Sequence, residues 1–444
     1  MSLAPHVWPV TATVAGGRLF VGGCDVVALA EQFGTPLYLL DEATLRGAMR
    51  AYRQAFAAAY SGPVRVHYAG KALLNTALAQ IVAQEELGLD VVSATELLVA
   101  QRAGVPMAHV HLHGNAKSDA ELERAVAWRV GAIVVDNLDE LARLRAITKH
   151  LAEPQGVLLR IAPAIEADTH AHIATGGETA KFGLPLAALE EAVAQTIAAP
   201  GLRWLGLHAH IGSQLFALDQ VVATIEVLVA QAARLRAQFG VTPVELSPGG
   251  GLGVPYTADQ PPTDIPRYAQ VVSAALQVAC TRHNLPLPRL TVEPGRSIVA
   301  RAGVALYRVM GRKGRRWLHI DGGMADNIRP ALYGARYSAV LANRADEPAC
   351  DPVDIGGRYC ESGDVLLREI ALPPAQPGDL LAVATAGAYT LSMASNYNLV
   401  PRPALVLVGN GQARVIQRRE TEEDVLARDV PLGGDNAGTT LWRD

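Results

Sequence analysis

The chain has 444 residues, of which 50% are hydrophobic, and its formal net charge is −4. This length exceeds what one hydrophobic core usually supports, so we predict two globular domains. Charges of both signs are interspersed without long single-sign runs, which argues against nucleic acid or an anionic membrane surface as partner and favours a small molecule.

Short β-branched runs alternate with helical patterns from about residue 62 to residue 300. The eight runs begin at Val64, Leu89, His109, Ala132, Val157, Trp204, Val244 and Arg289. One segment of helical spacing precedes Gly240, a residue type that commonly ends helices. Eight βα units predict a (β/α)8 TIM barrel. A doubly wound sheet would instead carry G-x-G-x-x-G after its first strand, and "YAGKALLN" lacks it.

The pattern changes after residue 300, where helical periodicity disappears. Two alternating runs flank Asn410-Gly411, a pair that favours a tight β-hairpin. We therefore predict a C-terminal β-rich domain, to which "GGRLFVGG" near residue 17 adds an N-terminal strand. The predicted division is a barrel over residues 38–300 and a β-rich domain over residues 1–37 and 301–444.

The cysteines and the N-terminus indicate the compartment. Cys24, Cys280, Cys350 and Cys360 lie far apart and form none of the C-x-x-C pairs of zinc or redox sites. No signal-peptide pattern opens the chain, and no segment reaches about 18 unbroken apolar residues. We expect free thiols in a cytoplasmic protein without membrane spans.

Candidate chemistry lies just after the strands, where barrel active sites are built. Lys71 follows the first strand and can serve there as a nucleophile toward a carbonyl, although a solvated lysine opening a helix has the same pattern. The run Gly249–Gly251 after strand 7 and Gly295 after strand 8 favour a phosphate-bearing ligand. Glu293 could hold the ring nitrogen of pyridoxal phosphate (PLP) protonated, or simply pair with Arg296.

Histidines near the strand ends allow two interpretations. His210 offers a flat ring beside Ser213, whose hydroxyl suits a phosphate. "HVHLH" and His208 could instead hold a metal, which makes a barrel metallohydrolase the rival class. Strand alternation already places such histidines on one face, and no matching set of acidic ligands is evident, so we expect no metal.

Several motifs, in order along nearly the whole chain, carry a family resemblance. They are "FGTPLYLLD", "LDVVSATEL", "HGNAKSDAEL", "THAHIATGGETAKFG", "HAHIGSQ", "GGGLGVPY", "EPGRS", "DGGMADNIRPALYGA", "CESGD" and "GAYTLSMASNYN". Together they resemble the PLP-dependent fold-type III decarboxylases, and among these the diaminopimelate decarboxylases. The resemblance implies a barrel of the alanine-racemase type, a β domain, and a homodimer whose two active sites lie at the subunit interface.

The resemblance also implies roles for residues around PLP. Lys71 would bond to the cofactor, His210 would stack on its ring, and Glu293 would bind its ring nitrogen. The phosphate would be held by Ser213, Gly249, Gly250, Gly251, Gly295, Arg296 and Tyr389. Asp90 and Arg160 match positions near the lysine.

The remaining implied roles concern the substrate. Arg296, Arg329 and Tyr333 would hold the distal carboxylate, and Tyr389 would also bind the substrate. Glu361 would take the distal ammonium, and Cys360, reaching into the neighbouring subunit's site, would protonate the carbanion left after CO2 departs. The implied reaction converts meso-2,6-diaminopimelate to L-lysine and CO2.

Three other PLP proteins are alternatives. A fold-type III decarboxylase of arginine, ornithine or a carrier-bound substrate would not need Arg329 and Tyr333 together. An amino-acid racemase would need a second acid/base opposite Lys71, and no motif identifies one. A non-catalytic PLP-binding barrel would lack the β domain.

Overall fold

The computed structural model describes residues 3–163, 181–350 and 352–432. The chain begins with a small antiparallel sheet of β1 (Thr13–Ala15), β2 (Arg18–Val21) and β3 (Cys24–Asp25). The sequence assigned a strand here to the β-rich domain, and β2 packs on that domain through an apolar core while it pairs with β1 and β3. Helix α1 (Val26–Phe33) follows.

Two elements lead into the barrel, β4 (Leu37–Asp41) and α2 (Glu42–Ala59). All five residues of β4 are buried, and the strand belongs to the second large sheet. The predicted boundary at residue 38 therefore falls inside a strand of the β-rich sheet. Asp41 caps α2, because its carboxylate accepts a hydrogen bond from the Thr44 backbone at 2.9 Å.

A closed barrel of eight parallel strands confirms the predicted fold class. Its strands are β5 (Val64–Ala69), β6 (Gly88–Val91), β7 (Val110–Leu112), β8 (Ala132–Val135), β9 (Gln155–Ala162), β11 (Leu202–His208), β12 (Glu245–Gly249) and β13 (Arg289–Val292), with a short β10 (Leu184–Pro185) beside β9. The pairing β13 to β5, with Leu290 opposite Val64, closes the circle.

Helices surround the barrel. They are α3 (Thr76–Gln84), α4 (Ala94–Arg102), α5 (Asp119–Ala127), α6 (Leu138–Thr148), α7 (Leu189–Ile197), α8 (Asp219–Phe239), α9 (Ile265–Arg282) and the single turn α10 (Arg296–Val299). Gly240 ends α8 in the left-handed conformation, with φ of 71°, as its position in the sequence predicts. Among the helices of the described ranges, none has both the length and the apolar character to cross a bilayer.

The second large sheet confirms the β-rich domain. It contains β4 with β14 (Gly303–Lys313), β15 (Trp317–Ile320), β16 (Ala339–Leu341), β17 (Pro352–Gly356), β18 (Val365–Ala371), β19 (Leu380–Val383), β20 (Ala404–Gly409) and β21 (Gln412–Gln417). Two short helices, α11 (Arg329–Tyr333) and α12 (Glu422–Leu426), accompany it. The hairpin turn has φ of 52° at Asn410 and 72° at Gly411, the positive values that this dipeptide favours.

The interior of the barrel is unusually polar. Six barrel strands, or the residues just after them, contribute buried side chains that are titratable or hydroxyl-bearing: His67, Asp90, His111, His113, His208, Glu245, Ser247, Thr291 and Glu293. Buried polar groups must find partners to avoid a desolvation cost. The contacts among these groups therefore determine which of the buried side chains are ionised.

Candidate active site

A cavity of about 510 Å³ opens at the carboxyl ends of the barrel strands. The predicted residues that line it are Lys71, Asp90, Arg160, His210, Ser213, Gly251, Glu293, Gly295, Arg296 and Tyr389. Gly249 and Gly250 lie directly behind this wall, where the Gly250 amide donates to His210 Nδ1 at 3.3 Å. The structure thus brings the predicted cofactor-binding set together.

Lys71 occupies a 3-10 turn, Gly70–Ala72, that immediately follows β5. Its side chain is exposed, and it lies in the cavity wall. The β-rich domain holds this turn, because the Tyr389 amide and the Ser392 hydroxyl donate to the Ala72 carbonyl at 2.8 and 3.0 Å. The lysine is therefore positioned by barrel strand β5 and by a segment of the β-rich domain that follows β19.

Glu293 forms the polar floor of the cavity. Its carboxylate accepts hydrogen bonds from Ser247 Oγ at 2.7 Å and His208 Nε2 at 3.0 Å. Burial acts to raise the pKa of Glu293, but the charges of His208 and His113 and these two hydrogen bonds hold it well below its usual range. Glu293 is an ionised acceptor and does not pair with Arg296, the simpler alternative in the sequence.

His208 and Ser247 were missed as partners of Glu293. Burial lowers the pKa of His208, which the charge of Glu293 opposes, and His208 Nε2 donates a hydrogen bond to the carboxylate. Both residues are on strands beside Glu293, at 208 and 247 in the runs that the sequence identified. The alternation of His208 and Ser247 with apolar neighbours along their strands was the sequence signal that could have identified them.

Asp90 makes a second buried carboxylate centre. Its Oδ1 lies 2.8 Å from His67 Nδ1 and 3.3 Å from His113 Nε2. Burial and Glu293 act to raise the pKa of Asp90, and the two histidines outweigh them and lower it. The sequence identified Asp90 but not these partners.

The expectation that no acidic residues accompany the histidines is wrong. His67, Asp90 and His111 form one group, and His113, His208 and Glu293 another, with potential ligand atoms within 4.8 Å of one another in each. The fold brings Asp90 and Glu293 to these histidines from other strands, which spacing along the chain does not reveal. In both groups the carboxylates already accept the hydrogen bonds described above.

The glycine run after β12 lies very close to neighbouring protein atoms. A Cβ at Gly250 would lie 2.2 Å from the Glu293 carbonyl oxygen, and one at Gly249 would lie 2.5 Å from His210 Nδ1. The loop after β12 therefore packs against neighbouring strand ends so tightly that only glycine is accommodated. Burial, together with the charges of Lys71 and Arg160, holds the pKa of His210 well below its usual range, so its ring is neutral.

Arg296 provides the positive charge beside this loop. Its guanidinium donates to Ser213 Oγ at 3.1 and 3.2 Å and to the Tyr256 hydroxyl at 2.6 Å. The guanidinium carbon lies 4.7 Å from the centre of the Tyr389 ring. A guanidinium, a serine hydroxyl and a glycine loop form a donor set suited to a phosphate. Tyr256 was missed by the sequence analysis, in which only its motif was noted.

Arg160 forms another side of the cavity. It is buried, with Nη1 3.9 Å from Asp136 Oδ1 and its guanidinium carbon 4.5 Å from the Phe182 ring centre. Burial lowers its pKa, which Asp136 and Glu293 oppose. Of the motif "THAHIATGGETAKFG", only residues 181–183 lie within the described part of the chain.

Besides Gly249 and Gly250, four predicted residues do not line this cavity: Arg329, Tyr333, Cys360 and Glu361. Arg329 is buried in α11, donates to the Tyr337 hydroxyl at 2.5 Å, and lies 4.5 Å from the Tyr256 ring centre. Since Tyr256 also contacts Arg296, the two arginines are linked through one ring. Tyr333 is exposed.

Cys360 and Glu361 are exposed on a loop of the β-rich domain. The Cys360 amide donates to Asn398 Oδ1 at 3.0 Å. Asp364 fixes the loop, because its carboxylate accepts hydrogen bonds from the backbone amides of Tyr359 at 2.9 Å and Met324 at 2.7 Å. The loop is thus firmly placed, with its thiol and carboxylate directed away from the domain interior.

A buried carboxyl beneath this loop predicts a pH dependence of stability. Burial raises the pKa of Asp326 from its ordinary 3.8 to about 7. The folded state therefore binds this proton more tightly than the unfolded state, and the resulting stability is lost as the pH rises through about 7. We expect Asp326→Asn to be more stable than the parent protein at about pH 8, by about 2–4 kcal/mol, and similar to it near pH 4.

Thermal unfolding midpoints measured across this pH interval test the expectation. The exposed carboxyl Asp346 lies in the same domain, and Asp346→Asn should follow the parent profile. Parallel profiles for the parent and Asp326→Asn would contradict it.

The barrel has an exposed lysine after its first strand, an ionised glutamate at the end of its last strand and a donor set suited to phosphate. These features together define a PLP-binding barrel. A family model described as "Pyridoxal-dependent decarboxylase, pyridoxal binding domain" matches residues 42–300. The chain belongs to this family of pyridoxal-dependent decarboxylases, which confirms PLP as the cofactor and an enzymatic function.

Individual relatives match over almost their whole length. The diaminopimelate decarboxylase of Synechocystis sp. is 45% identical, covering 96% of this chain and 93% of that protein. The diaminopimelate decarboxylase of Bacillus subtilis is 43% identical, covering 94% and 96%. The solved diaminopimelate decarboxylase of M. jannaschii in complex with L-lysine is 33% identical, with a TM-score of 0.88 over 95% of this chain and 98% of that one.

Proposed function

We propose that this enzyme decarboxylates meso-2,6-diaminopimelate to L-lysine and CO2. Relatives that carry the name diaminopimelate decarboxylase match nearly end to end, and one of them has been solved with L-lysine. The observation that carries the proposal is this full-length similarity together with a cavity that contains both Lys71 and the ionised Glu293.

PLP, when bound, supplies a conjugated electron sink for the electron pair left on a substrate carbon when CO2 departs. We assign Lys71 to the covalent attachment of the cofactor. Glu293 keeps a proton on the ring nitrogen, because its ionised carboxylate favours the cationic ring. The Ser213, Arg296 and Gly249–Gly251 donors hold the phosphate, and the neutral His210 ring supports the cofactor face.

Decarboxylation also needs an acid that returns a proton to the same carbon. We propose that Cys360 supplies it from a second copy of the chain, in a homodimer that shares its active sites. The exposure of the Cys360 loop and its position outside the cavity of its own chain support this arrangement. A thiol can act as a general acid close to neutral pH.

The two domains, each built on one of the large sheets, have different functions. We propose that the barrel domain, ending near residue 300, holds the cofactor, while the β-rich domain provides the dimer contacts and the Cys360 loop. A cytoplasmic location is also proposed. It is supported by four cysteines that are all free, as in a reducing compartment.

Substrate choice depends on the far end of the substrate. We assign the distal carboxylate to Arg329 and Tyr333 with Arg296 and Tyr389, and the distal ammonium to Glu361. Tyr256 joins this group, since it contacts both arginines. A planar guanidinium suits a carboxylate, which ornithine and arginine lack at that end.

The decisive experiment compares CO2 release by the PLP-loaded enzyme from meso-diaminopimelate, L,L-diaminopimelate, ornithine, arginine and lysine. We expect turnover of the meso isomer alone. For Arg329→Gln we expect kcat/KM to fall by about 10–100-fold, because a charged hydrogen bond to the carboxylate is lost.

Arg336→Gln is the matched control. Arg336 is an exposed arginine close to Arg329 in the chain and pairs with Asp259 at 3.6 Å, so its loss should leave kcat/KM unchanged. Preferred turnover of another amino acid would overturn the substrate assignment while leaving the roles of Lys71 and Cys360 in place.

A further inference from the structure

A second cavity, of about 430 Å³, lies at the opposite end of the barrel from Lys71. Its wall includes residues at or near the amino ends of four strands: Arg65 of β5, Arg203 of β11, Glu245 of β12 and Arg289 of β13. The two cavities have no lining residue in common. This basal cavity is therefore separate from the cofactor site.

The basal cavity has more positive than negative charge. Four arginines and two glutamates are among the described residues that line it. Arg289 pairs with Glu245 at 3.2 Å, and Arg129 pairs with Glu153 at 2.8 Å. Arg65 and Arg203 remain without an ion pair or hydrogen bond to any described residue. The cavity wall thus carries two uncompensated positive charges.

Arg65 is the more informative of these two. It is half-buried, and its pKa is lowered by burial and by the nearby charge of Arg289, which Glu245 only partly opposes. Partly buried cations normally have a partner, because desolvation of an unpaired charge is costly. An anion in the cavity would supply that partner.

His111 also lines this wall. Its ring is 3% exposed, and its Nδ1 has no hydrogen-bond partner among the described residues. Burial holds the pKa of His111 well below its usual range, so the ring is uncharged. His111 therefore adds no charge to the wall of the basal cavity.

We propose that the basal cavity binds a small multivalent oxyanion, a phosphate or a polycarboxylate, through the guanidinium groups of Arg65 and Arg203. Guanidinium forks match the oxygen geometry of both anions, and the volume accommodates either. The site is distinct from the cofactor phosphate site and rests only on the residues of this cavity.

The proposal can be tested by calorimetric titration of the PLP-loaded, full-length enzyme. Inorganic phosphate and citrate are titrated separately, at matched ionic strength. We expect saturable binding of one anion per chain without change in the cofactor absorbance, which reports that the active site stays filled. Arg65→Gln and Arg203→Gln should each weaken binding by at least about tenfold.

Arg143→Gln is the matched control, because Arg143 is a helix arginine outside the cavity that pairs with Asp119 at 2.6 Å. It should leave the affinity within about twofold of the parent. Arg203 is exposed, so its variant decides the question even if Arg65→Gln fails to fold. Absence of saturable binding of both anions, or equal affinity in Arg203→Gln and the parent, would overturn the proposal. Binding of only one anion identifies which oxyanion the site takes.

Discussion

Lys71→Ala is expected to lose CO2 release from meso-diaminopimelate, with kcat reduced on the order of 10⁴-fold or more, as for removal of a catalytic nucleophile. Lys71 is exposed in the cavity on a turn held by the Tyr389 amide and the Ser392 hydroxyl. The methyl group of alanine disturbs no hydrogen bond of that turn. Cofactor attachment can be followed independently by borohydride reduction and mass measurement, in which the parent gains a stable adduct on Lys71 and the variant gains none.

The exposed lysine at the end of α6 provides the comparison. Lys149→Ala should retain both the adduct and parental activity, because Lys149 lies outside the cavity. A Lys71→Ala protein that keeps a covalently trapped cofactor and CO2 release would remove this residue from its role.

Cys360→Ala is expected to lower kcat by about 10²–10⁴-fold while the cofactor stays bound, since a positioned general acid contributes that much. Cys350 is the natural control, because it is the other exposed free cysteine and lies in the same domain. Cys350→Ala should leave kcat unchanged. Equal losses in both variants would point to general damage to the domain instead of a missing acid.

Mixing the two inactive proteins distinguishes a shared site from a self-contained one. If Cys360 acts in the partner's site, each mixed dimer of Lys71→Ala and Cys360→Ala subunits has one intact site. Random reassociation should then restore about a quarter of the parental activity. A mixture that forms mixed dimers and stays inactive would show that the thiol serves its own chain.

Local patterns predicted the barrel well. Each of the eight strand runs lies on an observed strand, and Gly240 and Asn410-Gly411 end or turn the chain where expected. These features depend on residues close in sequence, where side-chain period and backbone conformation act directly.

The side-chain contacts were harder to predict. Glu293 was identified by its position after strand 8 and Asp90 by the resemblance. Their partners His208, Ser247 and His67 come from other strands, and strand register determines which side chains are in contact. Tyr256 connects Arg296 and Arg329 from a loop without a regular period. Cys360 and Glu361 followed only from a resemblance, because nothing local indicates what an exposed loop faces.

The placement of β4 has a consequence for how the protein is made on the ribosome. This strand, complete at residue 41, pairs with β14 and β20, which begin at residues 303 and 404. At translation rates of about 5–20 residues per second, the nascent β4 waits roughly 15–50 seconds for its first neighbour in that sheet. All eight barrel strands emerge during this interval. The barrel can therefore close on the nascent chain while the apolar strand β4, tethered to it, still has both edges unpaired. An unpaired strand edge can pair with other chains, so this stage is the one most in need of chaperone protection.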